Sequence, residues 1–301
     1  MPVPVFLNKN VGQILACGEE LKNTFCMTKN YLAFLIQHIG DLENVATDDF
    51  FQLTIRHMKR ILELEPEIIA HDMHPDYLST RWALEQTGVE KVPVQHHHAH
   101  IASAMAENKI NGPVIGLAFD GTGYGSDHAI WGGEILVADE KSFSRAAHFD
   151  YVPMPGGAAA IRQPWRMAVS YLQAAFGERL SDLELPLFKT VDQGRLGFIL
   201  QMIGKGVNSP LTSSLGRLFD GVAAIAGLRN EVVYEGQAAM ELEMSAGDAA
   251  VKPYDYEWLE ADALKILTAP IIRGVADDVI SGETIPVISA RFHLTLIRLF
   301  A

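Results

Sequence analysis

Cysteine is scarce in this sequence: Cys17 and Cys26 are the only two among 301 residues. Two thiols cannot build a disulfide framework. Neither sits beside a local motif that would activate it as a nucleophile, so both read as ordinary buried side chains. Long apolar runs are also missing. No stretch approaches the roughly 20 residues of a membrane helix, and the opening MPVPVFLNKN lacks the extended apolar region of a secretory signal. Positive charge is in deficit, with 24 Lys and Arg against 37 Asp and Glu and a formal net charge of −13. That balance argues against broad nucleic-acid binding, which needs clustered cations. It leaves room for a local basic pocket. Together the absences predict a cytoplasmic chain with neither membrane nor nucleic acid as a partner.

What is present is a core. The sequence is 49% hydrophobic and 20% charged, enough for two domains or one two-lobed unit. Residues 12–37 read as short antiparallel strands with turns near Gly18 and Lys29-Asn30. Asp48 is expected to cap a helix over Phe50–Leu64, which Pro66 stops. The strand EIIAHD, a helix ended by Gly88, the strand Lys91–Val94 and a histidine-rich helix follow. After Gly112-Pro113 the same order returns: strand Val114–Phe119, a turn at Gly121–Gly125, then strands Ala129–Ala138 and Arg145–Tyr151. This repetition predicts two related α/β lobes, residues 1–111 and 112–301. The second lobe carries a helical region. Pro164 belongs in the first turn of IRQPWRMAVSYLQAAFG. Thr212-Ser213-Ser214 precedes LGRLFDGVAAIAGL as an N-cap signal, and Gly227 ends that helix. YEGQAAMELEMSA is another helix, and residues 247–285 look less regular. The last helix, PVISARFHLTLIRLFA, stops without a cap, so the chain reads as an excised piece of a longer polypeptide whose second lobe is incomplete at its C-terminus.

The stretch from Val92 to Glu134 holds most of the chemistry. His96 and His100 lie four apart, on one helix face. Two imidazoles so placed can bind one metal through neutral nitrogens, although such a pair is more often plain polar surface. His97 and His98 point elsewhere. A zinc protease would need Glu at position 97. Asp120 ends an apolar strand, where a lone carboxylate is costly unless paired or metal-bound. Two His and one Asp suit zinc, iron or manganese. The run Gly121-Thr122-Gly123 lets backbone N–H groups approach a phosphate, or is an ordinary hairpin turn. Arg217 and Asp220 are helix-face neighbours, readable as a simple ion pair. Glu235, Gly236 and Glu241 open and line another helix, where favourable charge placement is the plainer account. Lys22, Asn23, His38 and Asp41 sit at strand ends in the first lobe, and composition assigns them only a polar-loop role.

The motifs LKNTFCMT…QHIGDLEN, HDMHPDYLST, HHHAHIASAMAE, LAFDGTGYGSDHAIWGGE, MPGGAAAIRQPWRMA, SSLGRLFDGVAAIAGL and YEGQAAMELE, in that order, resemble those of the HypF carbamoyltransferases. The match runs from about residue 5 to the end and covers the C-terminal part of that family. The resemblance implies a duplicated actin/Hsp70/sugar-kinase-like fold related to TsaD and to antibiotic O-carbamoyltransferases. It implies transfer of a carbamoyl group from ATP-derived carbamoyl-adenylate to the C-terminal cysteine of HypE, in maturation of nickel–iron hydrogenases. The YrdC-like and acylphosphatase-like parts of such a polypeptide lie outside this chain. By motif position, His96, His100 and Asp120 match the family's ligands for a divalent metal, zinc or iron. Gly121, Thr122, Gly123, Arg217, Asp220, Glu235, Gly236 and Glu241 fall where relatives hold the nucleotide, and Lys22, Asn23, His38 and Asp41 are possible substrate residues. Ala158 departs from the pattern, standing where many relatives have an acid after the Gly-Gly pair. Two other readings fit the same motifs: an ATP-binding module that mainly docks HypE, and a TsaD-like or O-carbamoyl transferase with another acceptor.

Overall fold

The computed structural model describes residues 3–247 and 250–301. Two compact units emerge, one running to Val114 together with Ala138–Phe143, the other comprising Ile115–Val137 and Ser144–Ala301.

The first unit runs β1 (Val5–Val11), β2 (Ile14–Cys17), β3 (Phe25–Leu35), α1 (Val45–Leu62), β4 (Ile68–Asp72), α2 (Leu78–Glu85), β5 (Glu90–Val94) and α3 (His96–Glu107). Its sheet has the order β1-β3-β2-β4-β5. β1, β3 and β2 are antiparallel, while β2, β4 and β5 are parallel. Parallel neighbours need crossover connections, and α1 and α2 supply them. Leu15, Phe25 and Met27 from the sheet bury against Phe51 and Ile55 of α1 and Ala83 of α2. Phe51 stands edge-on to Phe25 at 5.9 Å and to Trp82 at 5.4 Å, the arrangement that ring quadrupoles favour.

Three local expectations change here. β1 was not foreseen. Asn44, not Asp48, caps α1, its side chain accepting from Thr47 N at 3.0 Å. Asp48 lies in the first turn, where its charge still suits the helix dipole. Lys29-Asn30 does not reverse the chain. β3 continues through it, with Asn30 at φ 58° and a register shift against β1 between Phe6 and Val11. Asn tolerates that left-handed conformation, so the strand bulges instead of turning.

The second unit is built from β6 (Val114–Tyr124), β7 (Ile130–Ala138), β8 (Phe143–Phe149), β9 (Val152–Pro153), α4 (Ala158–Arg162), α5 (Pro164–Phe176), α6 (Pro186–Thr190), α7 (Gln193–Lys205), β10 (Leu211–Thr212), α8 (Leu215–Ile225), α9 (Gln237–Met244), β11 (Glu257–Leu259), β12 (Leu264–Leu267), α10 (Ala269–Ser281) and α11 (Ile285–Phe300). Its sheet has the order β11-β12-β8-β7-β10-β9, with β6 on β7. Residues 250–285 are more regular than expected, holding β11, β12 and α10, while residues 248 and 249 lie outside the described residues. Pro164 does open α5, and of Thr212-Ser213-Ser214 it is Ser214 that caps α8. The helices share one core in which Met167, Leu172, Leu218, Val222, Ile271 and Phe292 are fully buried. Gly221 lets α8 approach α5 closely, since a Cβ there would lie 2.7 Å from the Tyr171 ring.

Candidate metal centre and its surroundings

The parallel register of β4 and β5 explains how the first unit builds its site. Asp72 at the end of β4 lies opposite Val94 at the end of β5. One residue later Gln95 caps α3, its side chain accepting from His98 N at 2.9 Å. Asp72 therefore reaches the first turn of α3, and its Oδ2 lies 2.8 Å from His96 Nδ1. Its other oxygen accepts from His74 N at 2.8 Å. A carboxylate beside Nδ1 holds the proton there and leaves Nε2 as a lone pair. That Nε2 faces His100 Nε2 at 3.1 Å. With metal–nitrogen bonds of about 2.0–2.1 Å in a tetrahedral array, two ligand nitrogens lie about 3.3 Å apart. The pair fits a bound metal.

Glu19 Oε2 approaches the same His96 nitrogen at 3.7 Å. Glu19 is linked to the polar loop singled out above, because Asn23 Nδ2 donates to its carbonyl at 2.6 Å. Asn23 is fully buried and pairs its main chain with Gly40. Lys22 N donates to Asp41 Oδ1 at 2.7 Å. His38 is exposed. Thus Asn23 is tied to the histidine pair through Glu19, Lys22 and Asp41 brace the loop, and His38 stays at its rim. His97 and His98 are occupied otherwise: His97 Nδ1 meets Gln95 Nε2 at 3.1 Å, and His98 Nε2 meets the Asp139 carbonyl at 2.7 Å.

In the second unit, Asp120 Oδ1 accepts from Gly121 N at 2.6 Å, and Ser214 Oγ donates to the carbonyls of Asp120 at 2.6 Å and Gly121 at 2.8 Å. The expected Gly121–Gly125 turn is a correction. β6 continues through Tyr124, and the chain reverses at Gly125–Ala129, where Gly125 N donates to the Ala129 carbonyl at 2.9 Å. Gly216 serves packing here: a Cβ on it would lie 2.9 Å from Gly121 Cα, so α8 sits directly on the strand. Arg217 and Asp220 are both buried, with Nη2 and Oδ2 3.0 Å apart. Burial pushes the Asp220 carboxyl up to about 6, and Arg217 opposes that rise. Arg217 Nε and Nη1 have no partner among the described residues. Gly236 opens α9 at φ 74°. Glu241 is held by a two-pronged bond from Arg229, at 2.8 and 2.7 Å, and accepts from Gln237 Nε2 at 2.8 Å. Burial pushes the Cys17 and Cys26 thiols up to about 12 and about 11, so neither is a ready nucleophile.

Sequence reasoning missed Asp72, Glu19 and Ser214 Oγ as parts of these surroundings. The local signals were the Asp that closes EIIAHD and the cap run Thr212-Ser213-Ser214, while nothing near Glu19 marked it.

The sequence matches the family model described as "Carbamoyltransferase, Kae1-like Domain, second subdomain" over residues 116–301 and that described as "HypF Kae1-like domain" over residues 9–107. It is 44% identical to Carbamoyltransferase HypF2 of Cupriavidus necator, an alignment covering 80% of this chain and 30% of that protein. It is 41% identical to Carbamoyltransferase HypF of Rhizobium leguminosarum bv. viciae, covering 92% and 38% respectively. The crystal structure of full-length HypF in the phosphate- and nucleotide-bound form superposes with a TM-score of 0.94 at 44% identity, over 99% of this chain and 46% of that one. HypF of T. kodakarensis gives a TM-score of 0.88 at 30% identity, over 100% and 40%. This chain spans less than half the length of each of these proteins. The likeness carries the α/β, actin-like fold expected from the motifs. The chain belongs to the HypF carbamoyltransferase family, of which it is the Kae1-like domain.

Proposed function

We propose that this domain moves the carbamoyl group of carbamoyl-adenylate to the C-terminal cysteine of HypE, the step that leads to the cyanide ligands of nickel–iron hydrogenase. The observation that carries the reading is the Asp72–His96–His100 array, in a chain of the HypF family. Thiolate sulfur attacks the carbamoyl carbon, a C–S bond forms, the C–O bond to phosphate breaks, and AMP leaves with the electron pair. By their match to the family's motifs, His96, His100 and Asp120 would hold a divalent zinc or iron ion. When bound, that ion supplies positive charge for the leaving phosphate. Asp72 keeps the His96 proton on Nδ1, away from the ligand face.

Arg217 is the cation of the nucleotide pocket, because a buried guanidinium with two unpartnered nitrogens has donors to give. Gly121, Thr122 and Gly123 contribute backbone on the same strand, Glu235 and Gly236 stand at the mouth of α9, and Asp220 orients Arg217. Glu241, already engaged by Arg229, acts by orienting Gln237. The loop of Lys22, Asn23, His38 and Asp41 meets the acceptor, with buried Asn23 anchoring it through the Glu19 carbonyl and the exposed His38 at its rim. Full-length HypF, of which this chain matches 46%, was solved in a phosphate- and nucleotide-bound form, which supports nucleotide binding by a protein that carries such a domain.

The test supplies carbamoyl-adenylate and HypE to a full-length protein carrying this domain and reads the HypE mass. Carbamoylation of the terminal cysteine is expected, and its absence overturns the reading. His96→Ala and Asp120→Ala should each lower zinc affinity by roughly tenfold or more; equal metal content in the variants discards the ligand set.

A further inference from the structure

A buried carboxylate that the reading above leaves unused lies behind the Asp120 strand. Glu134, on β7, is fully buried. Its Oε1 accepts from Ser213 Oγ at 2.6 Å and from the N–H groups of Gly132 and Gly133 at 3.3 and 3.4 Å. Its Oε2 accepts from Arg145 Nε at 2.5 Å. Arg145 is fixed in turn, its guanidinium carbon 4.0 Å from the Trp131 ring centroid and its Nη1 donating to Tyr151 Oη at 2.8 Å. Three of the groups that Glu134 holds, Gly132, Gly133 and Ser213, lead to the candidate site by one step. Gly132, at φ 151°, packs under Asp120 so tightly that a Cβ would lie 2.5 Å from the Asp120 carbonyl oxygen. Ser213 is followed by Ser214, whose hydroxyl donates to the carbonyls of Asp120 and Gly121. The same hydroxyl accepts from Arg217 N at 3.2 Å and so starts the helix that carries Arg217 and Asp220.

We infer that Glu134 is a positioning residue. One carboxylate fixes the backbone of Asp120–Gly121 and the start of α8 against each other, and with them the ligand carboxylate and the nucleotide cation. A buried charge is costly to keep. Four donors converging on it, three of them on segments that touch Asp120 or α8, are what such a role requires. A comparable network elsewhere in the same unit makes a control: Asp278 accepts from Tyr254 Oη at 2.7 Å and from Arg291 Nη1 at 2.5 Å, linking α10 and α11.

The inference rests on the site reading above, so the experiment separates the two. Glu134→Gln, Glu134→Ala, Ser214→Ala and Asp278→Ala are made in a full-length protein carrying this domain. Hydrogen exchange is followed over residues 118–124, and zinc affinity and transfer kinetics are measured. Glu134→Ala should speed exchange in that segment by on the order of tenfold and weaken zinc to a similar extent, the usual scale for loss of an orienting partner. Ser214→Ala should reproduce it. Glu134→Gln, which keeps an oxygen for Ser213, should recover most of the zinc affinity while lowering kcat with little change in KM. Asp278→Ala should lose melting temperature without either effect. Unchanged exchange at 118–124 in Glu134→Ala overturns the inference whether or not the protein transfers carbamoyl. So does a loss of zinc affinity that Asp278→Ala shares. If Glu134→Ala does not fold, Glu134→Gln and Ser214→Ala decide alone, and wild-type exchange and kcat in both overturn it. Failure of the wild type to transfer carbamoyl overturns the proposed function, leaving exchange to judge Glu134.

Discussion

Asp72→Asn is the sharpest test of how the first unit prepares a metal ligand. The carboxylate has two jobs: Oδ1 accepts from His74 N at 2.8 Å and Oδ2 lies 2.8 Å from His96 Nδ1. An amide keeps the shape but only one acceptor. If its oxygen keeps His74, the NH₂ group faces His96 Nδ1. The imidazole then has to accept at Nδ1 and carry its proton on Nε2, pointing at His100. That tautomer cannot ligate through Nε2. If the amide turns over, His96 is satisfied and the His74 N–H loses its acceptor. Loss of an orienting partner of this kind typically lowers metal affinity by about 10–100-fold, or about 1.4–2.7 kcal/mol. His96→Ala removes the ligand itself and should cost more. The assay is zinc titration against a competing chelator, with circular dichroism to confirm that the variant folds. Asp72→Asn binding zinc within threefold of wild type would refute the tautomer argument.

Three further outcomes follow from the second unit. Burial raises the Asp220 carboxyl to about 6, so the folded state binds a proton more readily than the unfolded chain. Its contribution therefore falls as pH rises from about 4 to about 6, by on the order of 3 kcal/mol, and Asp220→Asn should flatten the wild-type stability profile in that window, measured by urea titration at each pH. Gly132→Ala places a Cβ 2.5 Å from the Asp120 carbonyl oxygen at φ 151°; a loss of about 1–3 kcal/mol in urea unfolding is expected, and a neutral result would mean that the strand yields freely. Arg217→Gln should weaken adenine-nucleotide binding by roughly tenfold, the scale of one charge-assisted hydrogen bond, and unchanged calorimetric affinity would remove Arg217 from the pocket.

The elements that were legible in the chain are those whose signal is local. Pro164 opens α5, the Thr212-Ser213-Ser214 run caps α8 and His96 and His100 share one face of α3, because caps, prolines and the 3.6-residue period act within a turn or two. Errors fell where a glycine or asparagine has two uses. Gly121 and Gly123 read as a turn but lie in β6, and it is Gly216, far along the chain on α8, whose missing side chain lets that helix approach Gly121. Asn30 read as a reversal and is a left-handed residue inside one strand.

The motifs by themselves determined the family, the α/β fold and the helical spacing of the histidine pair, since each is written in contiguous residues. Only the tertiary structure could bring Asp72 to His96, because that contact comes from the parallel register of β4 on β5. Only it could place Glu134 behind Asp120, through Ser213, Ser214 and a close-packed Gly132. Hydrogen bonds between residues 24 and 79 positions apart leave no periodicity in the chain to read; they exist once the sheets have set the register.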